Sequence, residues 1–194
     1  IVEEGDEDYP PLYGFIQPAK TIGRVKAFNG HFSMHVRALT YMLSYGGEGL
    51  RDVSKYAVLN ANYLLSLVRD VYPLPYKRTC MHEFVVEGQF ADAPSIHALD
   101  IAKRLMDYNF HPPTNYFPLI VHEALMIEPT ETENKDTLDA FVDALVKIAE
   151  EAKTQPDLLH NAPSTTKFGR MDEVKAAREL VLCCWLPENY DENA

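Results

Sequence analysis

The stretch that decides the fold is residues 124–152, ALMIEPTETENKDTLDAFVDALVKIAEEA. Its opening ALMIE is a short apolar run of the kind that predicts a β-strand, and Pro129 ends that strand. In the remainder, apolar residues recur every three or four positions, which predicts one amphipathic helix. The residues of this apolar stripe are Leu138, Phe141, Val142, Leu145, Ile148, Ala149 and Ala152. Thr130 and Glu133 have the spacing of a capping box, so we expect them to cap this helix.

Two more helices are predicted nearer the N-terminus, at 32–45 and 49–71, from the same apolar periodicity. In the first of them the apolar stripe consists of Phe32, Val36, Leu39 and Leu43. We expect Gly46-Gly47 to separate the two helices, because glycine readily adopts the left-handed conformation that ends a helix.

Three further elements complete the prediction. The run HEFVVE at 82–87 is rich in residues that suit a pleated surface and predicts a strand. A third helix is predicted from a cap near Ser95 to its end at Asn109. The proline-interrupted tail that follows Gln155 is predicted to contain one short helix near 172–180.

Few short strands and several one-sided helices predict an α+β fold, in which a small antiparallel sheet is covered by helices on one face. Residues 1–23 are different, since prolines and glycines interrupt them while aromatic residues at 9–16 give them apolar surface to bury. We therefore expect 1–23 to be an extended arm and 24–194 to be the folded domain.

The composition excludes several classes of protein. The chain has 194 residues and a formal net charge of −11, whereas binding to nucleic acid requires a basic surface. No apolar run reaches the ~18 residues of a membrane span. The three cysteines, Cys80, Cys183 and Cys184, are too few and too irregularly spaced for a disulfide framework, which fits a reducing cytoplasm. The first residue is Ile1 rather than Met, so we expect the chain to be a piece of a longer protein.

Two pairs of residues could carry chemistry by themselves. His31 and His35 have the i, i+4 spacing of a metal pair, but a third ligand is not evident, so a helix-start or packed histidine is the favoured interpretation. Cys80 and His82 would point the same way in a strand, which is the arrangement of a thiol–imidazole pair. No residue in the sequence is evident that would orient His82, and a structural thiol is favoured.

The loop HPPTNYFP at 111–118 combines rigid prolines with a histidine, a hydroxyl and two aromatic rings. Loops of fixed backbone often carry substrate contacts, although an ordinary buried turn has the same composition. The residues taken alone therefore indicate an α+β domain without a complete set of catalytic residues. The alternative to an enzyme is a stand-alone interaction module that binds a partner protein through its aromatic residues at 9–16.

Seven short motifs occur in one order along most of the chain and are specific only together. They are IGRV at 22–25, FNG at 28–30, VLNANY at 58–63, HEF at 82–84, LDIAKRL at 99–105, HPPT at 111–114 and MIEPTE at 126–131. With this order and spacing, the chain resembles the C-terminal part of the glycine dehydrogenase (decarboxylating) family, the P-protein of the glycine cleavage system. The Pro- and Tyr-rich approach to IGRV is more similar to subunit 2 of the split bacterial form.

The resemblance implies the C-terminal small domain of an aspartate-aminotransferase-like, fold type I enzyme that uses pyridoxal phosphate. Such an enzyme decarboxylates glycine and passes the aminomethyl group to the lipoyl arm of the H-protein. The partners implied are subunit 1 of the P-protein, the H-protein and the remainder of the same subunit, in the cytoplasm, with no nucleic acid or membrane.

The family's cofactor lysine follows a histidine, and this sequence contains no His-Lys pair. We therefore assign no catalytic residue and no metal to this chain, and we expect the chain alone to be inactive and without bound cofactor. By position in the family motifs, the resemblance implies that Asn29 and Gly30 lie near the cofactor or the dimer seam. It likewise implies that His111 and Thr114 lie at the mouth of the active site, near substrate.

Overall fold

The computed structural model describes residues 17–26, 28, 30–180 and 182. Its described helices and strands follow in the order α1 Phe32–Val68, β1 Phe84–Glu87, α2 Ala98–Asp107, β2 Thr114–Asn115, β3 Ala124–Ile127, α3 Lys135–Thr154, α4 Pro156–His160 and α5 Glu173–Arg178. No helix within these residues is long and apolar enough to cross a membrane. Cys183, Cys184 and most of the expected arm at 1–23 lie outside the described residues.

The chain divides into two compact units, one ending at Gly46 and one beginning at Gly47. The boundary falls inside α1, where Gly46 has φ 62° and ψ −178° and so interrupts the helical backbone. This left-handed φ suits glycine, which has no Cβ to clash with the backbone. The predicted break between two helices is confirmed at Gly46, whereas Gly47 is already helical.

In the first unit, the described residues form a short turn and the N-terminal part of α1. The turn closes with a hydrogen bond from the Thr21 amide to the Pro18 carbonyl oxygen at 2.9 Å. The predicted apolar stripe is helical but exposed, with Leu39 53% and Leu43 74% accessible to solvent.

In the second unit, a three-stranded antiparallel sheet has the order β1-β3-β2. Phe84 pairs with Ile127 and Val86 with Leu125, and all four side chains are buried. The neighbouring positions, Val85, Met126 and Thr114, share the opposite face of the sheet and are only partly buried or exposed. The predicted small antiparallel sheet is therefore confirmed, and one of its faces is buried in the core.

Three helices supply much of the rest of that core. Buried residues of α1, α2 and α3 form one cluster with the inward side chains of the sheet. The largest fully buried side chains from these helices are Leu64, Val68, Ile101, Leu105, Leu145 and Ile148. The stripe predicted for α3 is buried except for Phe141, which is partly buried. The predicted α+β class, with helices over one face of the sheet, is confirmed.

Two predicted helix starts are wrong. Helix α3 is capped by Asn134, whose side-chain oxygen accepts a hydrogen bond from the Thr137 amide at 2.9 Å, and Thr130–Glu133 forms a turn before it. Helix α2 begins at Ala98 rather than near Ser95, because Ile96 still closes a turn onto the Ala93 carbonyl oxygen. In both cases a nearby polar side chain satisfies the first amides of the helix, which is what fixes its start.

Two other boundaries differ from the prediction. Strand β1 begins at Phe84 rather than His82, so Cys80 and His82 precede the sheet. Helix α4 was not predicted, although Pro156 stands at its first position, where proline is favoured. The short helix predicted near 172–180 is confirmed as α5.

Candidate functional site

A cleft of about 410 Å³ lies in the second unit, where the loop after α2 meets the turn before α3. Its lining combines two of the short sequence motifs, HPPT and MIEPTE. The lining residues are Leu64, Phe110, His111, Pro112, Pro113, Thr114, Met126, Ile127, Glu128, Pro129, Thr130, Glu133, Thr137, Leu138 and Phe141. The two segments are brought together because Thr114 of β2 pairs with Met126 of β3.

The first wall of the cleft is fixed by the end of α2. Asn109 adopts a left-handed conformation with φ 63°, and the Phe110 amide turns back to donate to the Leu105 carbonyl oxygen at 3.0 Å. This is the αL termination that Asn or Gly permits, and the predicted end at Asn109 is confirmed. The chain then passes through His111 and two prolines, which hold the loop in an extended conformation up to Thr114.

Helix α2 is itself held to α3 by a charged network. Arg104 donates to both carboxylate oxygens of Glu151, at 2.8 and 2.9 Å, and Tyr108 donates to the same carboxylate at 2.7 Å. Burial alone would raise the pKa of Glu151, but the bonds from Arg104 and Tyr108 outweigh it and the pKa is lowered. Glu151 is therefore ionised at neutral pH, and the pair fixes the helix that precedes the His111 loop.

The second wall is fixed from α1. The side-chain amide of Asn60 donates to the carbonyl oxygens of Thr130 and Glu133, at 2.9 and 3.3 Å. These two bonds hold the turn that carries Glu128, Pro129 and Thr130 against α1. Asn60 therefore has a structural role, since it joins α1 to this turn.

His111 and Thr114, the two residues expected near substrate, both line this cleft. Within the described part of the chain, neither side chain has a hydrogen-bond or ion-pair partner, so the imidazole and the hydroxyl are available to a ligand. Among the residues that the structure describes, the carboxylate of Glu128 approaches only His82, at 3.9 Å. The cleft therefore combines exposed polar groups with an apolar floor, which includes the edge-to-face pair of Phe110 and Phe141.

The two residues expected near a cofactor belong to the other unit. Asn29 lies outside the described residues. Gly30 has φ 117°, and a Cβ at this position would lie 2.6 Å from the Nε2 atom of His35. The positive φ favours glycine here, since the His35 ring is an exposed side chain that could move away from a Cβ. The expected cofactor role of Asn29 and Gly30 remains a prediction.

The other candidate sites have simpler explanations. His31 precedes the first residue of α1, and its carbonyl oxygen accepts from the Met34 and His35 amides. Among the described residues, no three His, Cys, Asp or Glu side chains are grouped in a way that could hold a metal. Cys80 exchanges two hydrogen bonds with the side chain of Asn62, and burial raises the pKa of its thiol. A thiol with a raised pKa is a weak nucleophile, which supports its structural interpretation.

Sequence reasoning missed the acidic wall of the cleft. The sequence predicts a capping role for Glu133 and no site role for Glu128. Only the pairing of β2 with β3 shows that they face His111 across one cleft. The signal available in the sequence was the MIEPTE motif itself, but its contact with HPPT depends on the sheet order.

Comparison with known proteins shows where this domain belongs. The family model described as the glycine dehydrogenase C-terminal domain matches residues 53–164. Proteins named probable glycine dehydrogenase (decarboxylating) subunit 2 are 53% identical over 189 residues in Desulforamulus reducens and 54% over 182 in Alkaliphilus oremlandii. The corresponding protein of Chlorobaculum tepidum is 56% identical over 186 residues.

These alignments cover 97%, 94% and 95% of this chain but only 38%, 37% and 38% of the relatives, in the same order. A crystal structure of glycine decarboxylase (P-protein) of the glycine cleavage system, in inhibitor-bound form, is 24% identical with a TM-score of 0.46, over 56% of this chain and 24% of that one. The match of the family model to more than half of the sequence decides the assignment: this chain belongs to the glycine dehydrogenase C-terminal domain family.

Proposed function

We propose that this chain is the C-terminal small domain, residues 24–194, of a cytoplasmic glycine dehydrogenase (decarboxylating). The whole enzyme would decarboxylate glycine and transfer the aminomethyl group to the lipoyl arm of the H-protein. The observation that carries the proposal is identity above 50% across nearly the whole chain to proteins named as subunit 2 of that enzyme. Their name also supports subunit 1 as a partner.

The pyridoxal phosphate of such an enzyme supplies the electron sink for decarboxylation. It requires a lysine amine to attach to and cationic or N–H groups to hold its phosphate. Among the described residues, no lysine or arginine lines the cleft, and Glu128 and Glu133 would repel a phosphate. The cleft does not fit this cofactor, so we assign no step of cofactor chemistry to it.

The role left for this cleft is to contact the substrate arm at the active-site mouth. His111 and Thr114 support this role, because their polar groups have no partner within the described residues and face the same space. The remainder of the subunit would supply the lysine, and the chain alone would have no activity. Mixing the isolated chain with pyridoxal phosphate and borohydride should give no stoichiometric lysine adduct.

The test uses the intact subunit that contains this chain, assembled with subunit 1 and H-protein. Exchange of labelled bicarbonate into glycine measures the reaction. His111→Ala and Thr114→Val should each lower kcat/KM at least about tenfold, equivalent to ~1.4 kcal/mol of transition-state stabilisation.

Matched controls are His122→Ala and Thr154→Val, since both residues are exposed and neither lines the cleft. They should keep the exchange rate of the unmodified enzyme. Unchanged kcat/KM in both cleft variants would refute the role of His111 and Thr114. Absence of exchange in the unmodified assembly would refute the proposed function itself.

A further inference from the structure

The cleft between HPPT and MIEPTE has an asymmetric chemistry. Its floor and sides are apolar, and the residues responsible are Leu64, Phe110, Pro112, Pro113, Met126, Ile127, Pro129, Leu138 and Phe141. Its volume of about 410 Å³ is within the range of small-molecule pockets. An aliphatic chain would find contact along this floor.

The charges at the rim have one sign. Glu128 and Glu133 line the cleft, and no lysine or arginine within the described residues does so. The side chain of Glu128 is 56% exposed, and its one ionic neighbour in the described part of the chain is the imidazole of His82. Three hydroxyl groups, on Thr114, Thr130 and Thr137, add further hydrogen-bond acceptors. This rim attracts a cation and repels an anion.

The rim is also held in place before any ligand arrives. Asn60 fixes the turn between Thr130 and Glu133 through two backbone carbonyls, and Thr114 is fixed by its strand. A site whose polar groups are already positioned loses less conformational entropy when it binds its ligand.

We propose that this cleft binds an aliphatic arm that ends in a protonated amine, with Glu128 and Glu133 facing the amine and the apolar floor contacting the arm. The assignment of the natural ligand rests on the proposed function, in which the carrier arm leaves the enzyme bearing an aminomethyl group. Such an arm is aliphatic and carries a terminal ammonium at neutral pH. The acidic rim would favour the loaded arm over the unloaded, uncharged one.

The test measures binding directly, without glycine, cofactor or subunit 1. The intact subunit that contains this chain is labelled with ¹³C at its methionine methyl groups, and the signal of Met126 is assigned with Met126→Leu. Hexylammonium and hexanoate have the same chain length and opposite charge, and each is titrated while the Met126 signal is followed.

Hexylammonium should shift the Met126 signal with a Kd at least about fivefold below that of hexanoate, in line with the range for exposed ion pairs. Glu128→Gln and Glu133→Gln should each weaken hexylammonium about 1.5- to fivefold and leave hexanoate binding unchanged or stronger. Glu150→Gln makes the same charge change at an exposed site on α3, outside the cleft, and should change neither Kd.

Equal affinity for the two probes, no shift of Met126, or an unchanged preference in both cleft variants would overturn the proposal. These results are independent of the exchange reaction. An enzyme without glycine exchange can still show the preference, and an active enzyme can lack it.

Discussion

Helix α3 and the helical stretch at 32–45 have the same apolar periodicity in sequence and opposite environments in the structure. In α3 the predicted stripe is buried, with Leu145 and Ile148 fully inaccessible to solvent. In 32–45 the predicted stripe is exposed, with Phe32 80% and Leu43 74% accessible. The comparison teaches that periodicity predicts a helix and its apolar face, but not whether this chain supplies the surface that covers it.

The physical reason is that burial requires a second surface. Helix α3 packs against the sheet and α2 within one unit, which together remove its stripe from water. The stretch at 32–45 belongs to the other unit, and its apolar side chains have no such cover among the described residues. A leucine in α3 should therefore contribute more to the free energy of unfolding than a leucine in 32–45.

The largest expected effect separates these two helices directly. Leu145→Ala should lower the free energy of unfolding by about 2–5 kcal/mol, because it leaves a cavity in a packed core. Leu39→Ala, the matched change at an exposed position, should alter it by no more than about 0.5 kcal/mol. Urea unfolding of the chain, followed by circular dichroism, measures both changes. Equal losses of unfolding free energy in the two variants would contradict the difference between the two helices.

A smaller effect tests whether available space, rather than residue type, distinguishes packed from open positions. A Cβ on Gly88 would lie 2.9 Å from the Ala98 Cα and 3.0 Å from the Leu125 Cδ1, so Gly88→Ala should cost about 1–3 kcal/mol. Gly47 is helical and has nothing within 4 Å of such a Cβ, so Gly47→Ala should stabilise by about 0.5–1 kcal/mol. Thermal unfolding should show opposite shifts of Tm, and shifts of the same sign would contradict the argument.

The smallest effect concerns the buried hydroxyl of Tyr72, which contacts the backbone of α3. Tyr72 is buried, and its hydroxyl donates to the Leu145 carbonyl oxygen at 3.0 Å. Tyr72→Phe should cost about 1 kcal/mol at pH 7, the net value of one such hydrogen bond.

The same residue predicts a dependence on pH. Burial raises the pKa of Tyr72 above its ordinary value of 10.0, so the unfolded chain releases this proton first. The contribution to stability is fully present below pH 10 and is lost as pH rises above it. Urea unfolding from pH 8 to 11 should therefore show a steeper loss in the unmodified chain than in Tyr72→Phe, and parallel curves would exclude this role.

Much of the fold could be predicted because it depends on neighbours in sequence. The strand at 124–127, the stripe of α3 and the end of α2 at Asn109 follow from local periodicity and from residues that permit a left-handed backbone. Helix starts were less predictable, since several polar residues near α3 could have capped it and only Asn134 does so.

Contacts between distant segments could not be predicted. The carboxylate of Asp107 accepts from the backbone amides of Ser164 and Thr165, and the buried carboxylate of Asp100 pairs with Arg170 at 2.7 Å. These bonds hold the segment after α4 to α2 across 57 to 70 residues of sequence. Sequence periodicity cannot predict these contacts, because each of them depends on a single polar side chain and a partner far away in the sequence.

The candidate site shows the same division. The sequence by itself determined that His111 stands in a stiff, polar loop that leads to Thr114, because two prolines fix the backbone there. Only the tertiary structure decided what that loop faces. The order β1-β3-β2 places β2 beside β3 and so brings Glu128 and Glu133 into the same cleft, above a floor to which α1 and α3 contribute. Local backbone preference acts over a few residues, whereas the charge and shape of a cleft arise from segments that only folding brings into contact.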